Sequence, residues 1–436
     1  MQIRVGLKAG DLVSLGHKQV TVSSSSTVVE LLSDGVSGQK IPGTGPVTIS
    51  VTAGGALQVI GITGGAKQAA RVRVSDAHGG RLHLTSTAKT GSKKGPVTYT
   101  GALEAFNNGS SGELRLVLVC DLEDYVKGVL QSEIPASYKL AAMEAQAVLA
   151  RTYGLNPRLS HEQDQCNVCD SFLCCQAFVG VDARLTAGQL QAITQTRGQI
   201  LTYEGKPALA LFSANAGGHT ESYENCFSDP VTHKFPDDPI PYLHGVAEGK
   251  LPAGFPSESA LRALHGAANV ATDDSWSPSF KWTANFPADA LEAHMHHVIA
   301  QVSKESQFAP FVVAPPSGSF GHIERFEVSR RGIAGVAMEL KIHTSKGVWI
   351  VRKELTIRSV FANPELGVKR LRSARLFFDF ARDRLGLLSK VTVSGLGTGH
   401  GVGLQQNGAQ GLARQGKTYR EILAHYYAGA IVRPVQ

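Results

Sequence analysis

A glutamate stands where an apolar helix face ends, directly before an Ile-Pro step. In the segment DLEDYVKGVLQSEIP, Glu133 follows three apolar residues at helical spacing and therefore shares their face. These residues are Leu122, Val126 and Val129. Pro135 disfavours helical backbone in the residue before it. The pattern predicts a helix that ends near Glu133, with an acid at the end of its buried stripe.

This position suits acid chemistry. Partial burial of Glu133 disfavours its charged form, and the negative end of the helix dipole has the same effect. Both favour the protonated carboxyl that a general acid needs near neutral pH. The alternative is a structural glutamate turned to solvent, since structural carboxylates far outnumber catalytic ones.

A second group of reactive residues lies in HEQDQCNVCDSFLCCQAF, which holds four of the six cysteines. Cys166 and Cys169 form a C-x-x-C pair, which can place two thiolates on one metal ion. Side chains of the adjacent Cys174 and Cys175 are expected to point apart, so that only one of them joins the site. A disulfide or free thiols are the alternatives.

Two glycine-rich segments could approach a flat ligand. In NAGGHTE, Gly217 and Gly218 lack side chains that would hold a sugar away from the backbone. The segment GLGTGHGVGLQQNGA does not fit G-x-G-x-x-G, and no phosphate-binding lysine follows it. We interpret it as a loop that brings His400 and Gln406 to a groove; a turn built for packing is the alternative.

The elements that must position these residues indicate an α+β protein. Residues 1–112 alternate short apolar runs with turn residues, which predicts a β-rich N-terminal region. We expect it to pack against a mostly helical core at 113–230. A mixed α/β lobe or insertion at 231–388 and a C-terminal part of the core at 389–436 complete the predicted division. A helix with Ser137 as its N-cap is expected to follow Glu133 directly.

Composition limits the partners without choosing among them. The net charge of +7 over 436 residues suits an anionic partner such as a wall polymer. No aromatic-interleaved basic stripe is present, which argues against nucleic-acid binding. No apolar run reaches the length of a membrane span, and MQIRVGLKAG has no signal-peptide pattern. The protein is therefore expected either to be cytosolic or to be numbered after a removed segment.

Four long segments, in order, resemble the stage II sporulation protein D (SpoIID) family. SEIPASYKLAAMEAQAVLARTY is similar to the family signature, S-E-M-P followed by K-A-Q-A-V-A-A-R-T-Y. LVLVCDLEDYVKGVL, LFSANAGGHTESYENCF and GHGVGLQQNGAQGLARQGKTYREILAHYYAGA resemble further family segments, and LRSARLFF matches a shorter one. The resemblance spans roughly residues 100–436.

The resemblance implies a peptidoglycan lytic transglycosylase, which cuts between N-acetylmuramic acid and N-acetylglucosamine, preferably in strands without stem peptides. Glu133 matches the family's catalytic glutamate, as a single general acid/base that needs no cofactor. It would protonate the leaving oxygen and then take the proton of the muramic acid C6 hydroxyl, which closes a 1,6-anhydro ring. Hydrolysis normally uses two carboxylates, and Glu144 or Glu221 could be the second.

The matching segments also assign substrate contacts. The assigned residues are Arg151, Tyr153, Ser213, Gly217, Gly218, Thr220, Glu221, His400 and Gln406. The sequence departs from the family pattern at Ile134, His219, Gln405 and Asn407. We expect these four positions to line the groove, so the departures concern substrate preference more than the reaction.

Some SpoIID-like proteins hold a zinc ion in the cysteine-rich loop with one histidine and two cysteines, the second just before a glutamine. This pattern maps onto Cys169 and Cys175, which Gln176 follows. His161 or Cys166 would be the third ligand. The resemblance thus implies a structural zinc site that orders a loop beside the groove.

Two other functions compete with the transglycosylase. Relatives called amidase enhancers imply a non-catalytic glycan-binding module that stimulates a cell-wall amidase, but such a module would not need Glu133. A hydrolase that uses His161 and the cysteines lacks a recognisable second His/Asp set. The expected partners are glycan strands, an amidase and septal or envelope proteins, and the expected location is the extracytoplasmic cell envelope.

Overall fold

The computed structural model describes most of the chain. The described residues are 1–9, 15–32, 38–88, 91, 93–107, 109, 112–172, 174–181, 185–255, 257–363, 368 and 370–435. They divide into two units: unit 1 comprises Met1–Ala210 and Ile431–Gln436, and unit 2 comprises Leu211–Ala430. The four-part division expected from the sequence stays a prediction.

Unit 1 begins with strands and continues with helices. Its strands are β1 (Gln2–Gly6), β2 (Gly16–Ser23), β3 (Thr27–Leu32), β4 (Lys40–Val51), β5 (Leu57–Ile62), β6 (Lys67–Ala69), β7 (Arg71–Asp76), β8 (Leu82–Ala88), β9 (Lys93–Tyr99), β10 (Ala102–Phe106), β11 (Leu114–Asp121), β12 (Val168–Cys169), β13 (Gln199–Tyr203), β14 (Lys206–Pro207) and β24 (Ile431–Pro434). Its α-helices are α1 (Leu122–Glu133), α2 (Leu140–Leu155) and α3 (Ala187–Gln195).

Alternation of side chains explains the strands of the N-terminal region. In β7, Val72 and Val74 are fully buried while Arg71 and Arg73 are half-exposed, which is the period of two that a sheet with one buried face requires. Antiparallel pairing closes β2, β4, β3, β7, β10 and β11 into a ring, because β11 pairs with both β10 and β2. Closure leaves these six strands without a free edge between them.

The helix that carries Glu133 follows β11 without a break. The side chain of Asp121 accepts a hydrogen bond from the Glu123 amide and caps α1. The helix ends at Glu133, and Ile134 is extended, as the following proline predicts. The predicted end of this helix near Glu133 is confirmed.

Helix α2 begins later than the sequence indicates. Residues 135–138 form a turn in which the Tyr138 amide donates to the Pro135 carbonyl. The helix therefore starts at Leu140, and Lys139 stands at its N-cap position without a side-chain cap. Ser137 as N-cap was wrong. The alanine-rich helix is buried along most of its length, as its composition predicts.

A buried ion pair joins the elements around α1. Nε and Nη2 of Arg151 donate to the two oxygens of the Glu123 carboxylate at 2.8 Å, and Arg151 has no exposed surface. Arg151 also donates to Thr196 Oγ1 at 3.2 Å and to the Ile193 carbonyl at 3.1 Å. The Gly198 amide donates to Glu123. The pair therefore connects α1 and α2 with the end of α3 and the start of β13.

Unit 2 contains small sheets and short helices. Its strands are β15 (Phe212–Ser213), β16 (Lys281–Pro287), β17 (Val312–Val313), β18 (Ile323–Arg331), β19 (Ala337–Thr344), β20 (Gly347–Arg352), β21 (Leu376–Arg382), β22 (Leu388–Leu396) and β23 (Leu404–Gln405). Its α-helices are α4 (Glu258–Gly266), α5 (Ala288–Val302), α6 (Glu354–Ser359), α7 (Gln406–Arg414) and α8 (Tyr419–Tyr426).

Three sheets organise unit 2. Strands β16, β22 and β21 form one antiparallel sheet, and β17, β20, β19 and β18 form another. The short strands β15 and β23 pair in parallel and connect the two glycine-rich segments. Phe255, Leu261, Phe280, Phe377 and Leu396 belong to a buried cluster beside these loops. The predicted α+β class is confirmed.

Among the described residues, no helix is both long enough and apolar enough to cross a membrane.

The Arg151–Glu123 pair gives a stability prediction. Arg151→Ala leaves a buried carboxylate without its cation and should lower the free energy of unfolding by about 3–5 kcal/mol. All three tryptophans lie in unit 2, so urea unfolding of unit 1 is followed by far-ultraviolet circular dichroism and hydrogen exchange.

Lys127→Ala is the matched control, because Lys127 forms a partly exposed pair with Asp124 on the same helix. Its loss should cost less than about 1 kcal/mol. Equal effects of the two substitutions would contradict the structural role of Arg151.

Candidate active site

Glu133 is the last residue of α1, and its side chain is partly buried. The backbone amide of Ala177 donates a hydrogen bond to Glu133 Oε1 at 2.5 Å. The extended backbone of Ile134 before Pro135 turns the chain away from the helix axis at this point. The carboxyl thus lies at the negative end of the helix and accepts a hydrogen bond from the Ala177 backbone.

Residues 176–178 form the segment that supplies this donor, and hydrogen bonds attach this segment to α1 and α2. Ser132 Oγ donates to the Ala177 carbonyl at 2.8 Å. The Gln176 side-chain amide donates to the Tyr125 hydroxyl at 2.5 Å and to the Ala150 carbonyl at 3.1 Å. Because α1 and α2 both hold the segment, the Ala177 amide is directed at Glu133 rather than at solvent.

Packing of Phe178 completes the attachment. Its ring lies 6.0 Å from the Tyr99 ring and 5.3 Å from the Tyr125 ring, measured between centroids. A side chain at Gly128 would meet Phe178, since a Cβ there would lie 2.5 Å from the ring. Glycine on this face of α1 therefore permits the close approach of the segment.

Four metal-ligand side chains converge just before this segment. The ligand atoms of His161, Cys169, Cys174 and Cys175 all lie within 4.8 Å of one another. Cys169 is held by β12, which pairs in parallel with β1, and its amide donates to Cys175 Sγ at 3.3 Å. Three thiols and one imidazole are the donor set of a closed structural zinc site.

The cluster corrects one predicted ligand. Cys166 is not part of it; this thiol is buried among Phe106 and Val117. Cys174 takes the fourth position, since its Sγ lies 3.8 Å from His161 Nε2. The expectation that only one of the two adjacent cysteines could join was wrong, because the backbone turns tightly after Ser171 and its carbonyl accepts from the amides of both.

The thiols of the cluster shift one another's pKa values. Hydrogen bonds from Cys169 and Cys175 lower the pKa of the Cys174 thiol to about 3. The same contacts raise the pKa of Cys175. All six cysteines of the chain are free thiols in the structure. The arrangement favours one thiolate, the form in which cysteine binds a metal.

Two predicted substrate contacts on α2 are buried. Arg151 has no exposed surface and its guanidinium is occupied by Glu123, so in this structure it cannot touch a glycan. Tyr153 is 6% exposed, and burial raises the pKa of its phenol well above the ordinary value. Both side chains support the helices around Glu133 instead.

Glu221 is enclosed by donors in unit 2. Its Oε1 accepts from the Ser222 amide and the Asn225 side chain, and its Oε2 accepts from the amides of Ala334 and Val336. The residue is 1% exposed, and burial raises the pKa of its carboxyl. This environment gives Glu221 a structural role and does not support substrate contact.

Gly217 and Gly218 are also buried, and each has positive φ. The carbonyls of Ala216 and Gly217 accept from Arg375 Nη1 at 2.7 and 2.6 Å, and the Gly218 amide donates to Asp274. A Cβ at Gly217 would lie 2.7 Å from the Leu396 side chain. Close packing, rather than access of a sugar, therefore requires these glycines.

The neighbouring hydroxyls are buried too. Thr220 Oγ1 accepts from the Val246 amide at 2.8 Å. Ser213 is 6% exposed, and within the described residues its hydroxyl has no hydrogen-bond partner. Both hydroxyls are therefore enclosed, which does not support the predicted substrate contacts at Ser213 and Thr220.

His400 is held by backbone groups. The Val402 amide donates to its Nδ1 at 3.0 Å, and burial lowers the pKa of the imidazole to about 4. The ring is therefore neutral at physiological pH and cannot act as a cation towards substrate. Gln406 begins α7 and is 7% exposed. Both positions fit the packing interpretation of this loop.

Three positions that depart from the family pattern are buried rather than groove-lining. Gln405 donates to Glu248 and accepts from the Ala216 amide, and it has no exposed surface. Asn407 accepts from Asn215 at 3.1 Å. His219 is 1% exposed and lies 3.0 Å from the Ala253 carbonyl. The expectation that these three positions line a substrate groove was wrong. Ile134 is buried as well.

A cluster of acids beneath the double-glycine loop has no signal in the sequence. Glu248 is fully buried and accepts from Tyr426 at 2.7 Å, while His425 lies 3.8 Å away. Burial, together with the charge of Glu248, raises the pKa of Asp274 to about 6. Burial also raises the pKa of the neighbouring Asp273. These residues stand at no recognisable spacing, and only the fold brings them together.

The chain is similar to proteins named for sporulation and for the enhancement of an amidase. Residues 110–203 match the SpoIID family, described as Stage II sporulation protein, and residues 231–403 match a Domain of unknown function (DUF8618). The resemblance inferred from the motifs is confirmed. The SpoIID domain indicates a role related to the cell wall.

Three relatives illustrate the similarity. An uncharacterized protein of Brachyspira hyodysenteriae is 28% identical over 71% of this chain and 66% of its own length. The Amidase enhancer of Bacillus subtilis is 27% identical over 70% of this chain and 39% of its own length. Stage II sporulation protein D of Bacillus amyloliquefaciens is 28% identical over 71% of this chain and 73% of its own length. The chain thus spans less than two thirds of the length of the Brachyspira protein and of the Amidase enhancer.

Asp274 gives a pH prediction for unit 2. The folded protein retains the Asp274 proton up to about pH 6, whereas the unfolded chain releases it near pH 4. This contribution to stability is therefore complete below about pH 4 and is lost as the pH rises through 6. Relative to Asp274→Asn, the wild type should lose up to about 3 kcal/mol across this window.

Tryptophan fluorescence during urea unfolding measures the effect, because every tryptophan lies in unit 2. Asparagine keeps an acceptor for the Gly218 amide, so the variant should fold. If the free energies of unfolding of the two proteins changed with pH in the same way, the predicted raised pKa of Asp274 would be contradicted.

Proposed function

Because residues 110–203 form a SpoIID-family domain, we propose that this protein is a peptidoglycan lytic transglycosylase. It cleaves the bond between N-acetylmuramic acid and N-acetylglucosamine in glycan strands, with a preference for strands stripped of stem peptides. The observation that carries the proposal is the partly buried carboxyl of Glu133, which lies at the helix end and contacts the Ala177 amide.

The reaction needs one carboxyl group. Protonated Glu133 donates its proton to the glycosidic oxygen as the bond from C1 of muramic acid breaks. The C6 hydroxyl of the same sugar then bonds to C1, and the Glu133 carboxylate takes its proton. Glu133 regains the proton that it donated, so the reaction consumes no water. The product ends in a 1,6-anhydro ring. The Ala177 N–H group stabilises the carboxylate formed between the two steps.

A hydrolytic mechanism has less support. It would require a second carboxylate, and the donors around Glu221 leave that residue enclosed. Glu144 on α2 is half-buried, and burial raises the pKa of its carboxyl. Glu144 is therefore the remaining candidate of the two that the sequence raised.

We predict that Glu133→Gln abolishes strand cleavage, with a loss of at least about 100-fold, because the amide cannot donate the proton. Purified peptide-stripped strands are incubated with wild type and variant, and the products are analysed by mass spectrometry. Fragments with 1,6-anhydro ends from the wild type alone support the proposal. Glu144→Gln is the matched control and should retain activity.

Products with reducing ends, together with an inactive Glu144→Gln variant, would show that the protein is a hydrolase and not a transglycosylase. Strand binding without cleavage by the wild type would favour a second function. The relative named Amidase enhancer motivates that alternative, a non-catalytic module that binds glycan and stimulates a cell-wall amidase. Release of stem peptides by an added amidase, with and without this protein, measures it.

The proposal includes a structural zinc ion held by His161, Cys169, Cys174 and Cys175. The three thiols and the imidazole lie within 4.8 Å of one another and match the four donors of a structural zinc site. The ion would order the segment that leads to Ala177, whose amide contacts Glu133, and would take no part in proton transfer. We also propose that the protein acts outside the cytoplasmic membrane, where peptidoglycan lies.

The metal proposal predicts different effects of two cysteines. Cys174→Ala should lower the zinc content of the purified protein, measured by inductively coupled plasma mass spectrometry, because it removes a ligand. Cys166→Ala should leave the zinc content unchanged, since this thiol packs against Phe106 and Val117. A loss of zinc in Cys166→Ala alone would contradict the assigned ligand set.

A further inference from the structure

The hairpin of β21 and β22 ends in the most exposed leucines of unit 2. Leu385 is 84% exposed and Leu387 is 62% exposed. The base of the hairpin is buried, whereas residues 379–390 are exposed except for the partly buried Leu388. Phe380 on the same exposed part adds a third apolar side chain at 38%. Exposed apolar side chains that are grouped on one surface are typical of interaction sites, whereas single ones are common.

The tip is a built turn and not a loose loop. Asp383 Oδ1 accepts from the amides of Leu385 and Leu387, each at 2.9 Å. The Asp383 amide donates to the Leu387 carbonyl, and Arg382 donates to the Gly386 carbonyl at 2.9 Å. A second Arg382 bond, to the Glu324 carbonyl of β18, braces the hairpin from the side. The turn therefore holds both leucines outward.

Positive charge surrounds the leucines. Residues 379–390 contain Arg382, Arg384 and Lys390 and two carboxylates, Asp383 and Asp379, of which Asp379 pairs with Arg262. Among the described residues, neither Arg384 nor Lys390 forms an ion pair. The exposed tip thus combines apolar side chains with uncompensated cations.

We propose that this hairpin docks the protein on an anionic lipid surface, with Leu385 and Leu387 between acyl chains and Arg384 and Lys390 at the head groups. Leucine gains from burial in hydrocarbon, and each cation near an anionic membrane adds attraction. A peptide-stripped glycan strand offers lactyl carboxylates to the cations but no hydrocarbon to the leucines. Two strands with three apolar side chains present a small area for a stable protein interface. This inference does not depend on the proposed reaction.

Vesicle sedimentation tests the proposal on the full chain. One set of vesicles contains equal amounts of phosphatidylglycerol and phosphatidylcholine, and the other contains phosphatidylcholine alone. The wild type should bind the anionic vesicles, and the double variant L385S/L387S should bind them about tenfold or more weakly. Val231→Ser is the matched control, because Val231 is 83% exposed elsewhere in unit 2, and it should bind like the wild type.

A second variant separates charge from apolar insertion. R384S/K390S keeps both leucines and should lose the preference for anionic over neutral vesicles. All changes are at exposed positions, so the urea midpoints should match the wild type.

Three results would overturn the proposal: no binding of the wild type to anionic vesicles, equal binding by L385S/L387S, or equal binding to both vesicle types. A concentration-dependent dimer on size-exclusion chromatography that L385S/L387S abolishes, without vesicle binding, would assign the hairpin to a protein interface instead.

Discussion

The buried pair of Glu123 and Arg151 is the contact on which the geometry of unit 1 depends. It fixes the start of α1 against the last turns of α2 and, through Thr196 and Gly198, against the connection from α3 to β13. A rigid helix transmits this constraint along its length, so Glu133 at the other end of α1 has a defined position. Desolvated charges require such complete pairing, because a single unpaired partner would be costly.

A second constraint acts at the end of α1 that carries the carboxyl. The segment around Ala177 is tied to the helices by Ser132 and Gln176, and the cluster of His161 and three cysteines precedes it. A metal in that cluster would limit the freedom of the segment and, through it, the orientation of Glu133. Structure and proposed chemistry are therefore linked by one short stretch of backbone.

Unit 2 shows a different use of sequence motifs. The residues that resemble the family segments are mostly buried, and they hold one another: Arg375 holds the carbonyls before Gly218, and Gln405 connects Glu248 with the Ala216 amide. These bonds stabilise the packing of the loops, although Arg375 Nε and Nη2 and Glu248 Oε2 have no hydrogen-bond partner among the described residues. The motifs in this unit therefore encode a particular packing, and the contacts with substrate predicted from them at Glu221 and His400 are not supported.

The sequence by itself determined the features that depend on neighbouring residues. Asp121 caps α1, Pro135 ends it, and the Glu204-Gly205 turn joins β13 and β14, because capping, proline sterics and turn conformation act over a few residues. Only the tertiary structure decided which distant groups meet. It selected Cys174 over Cys166 and gave Arg151 to Glu123, since these choices depend on chain crossings that no local spacing encodes.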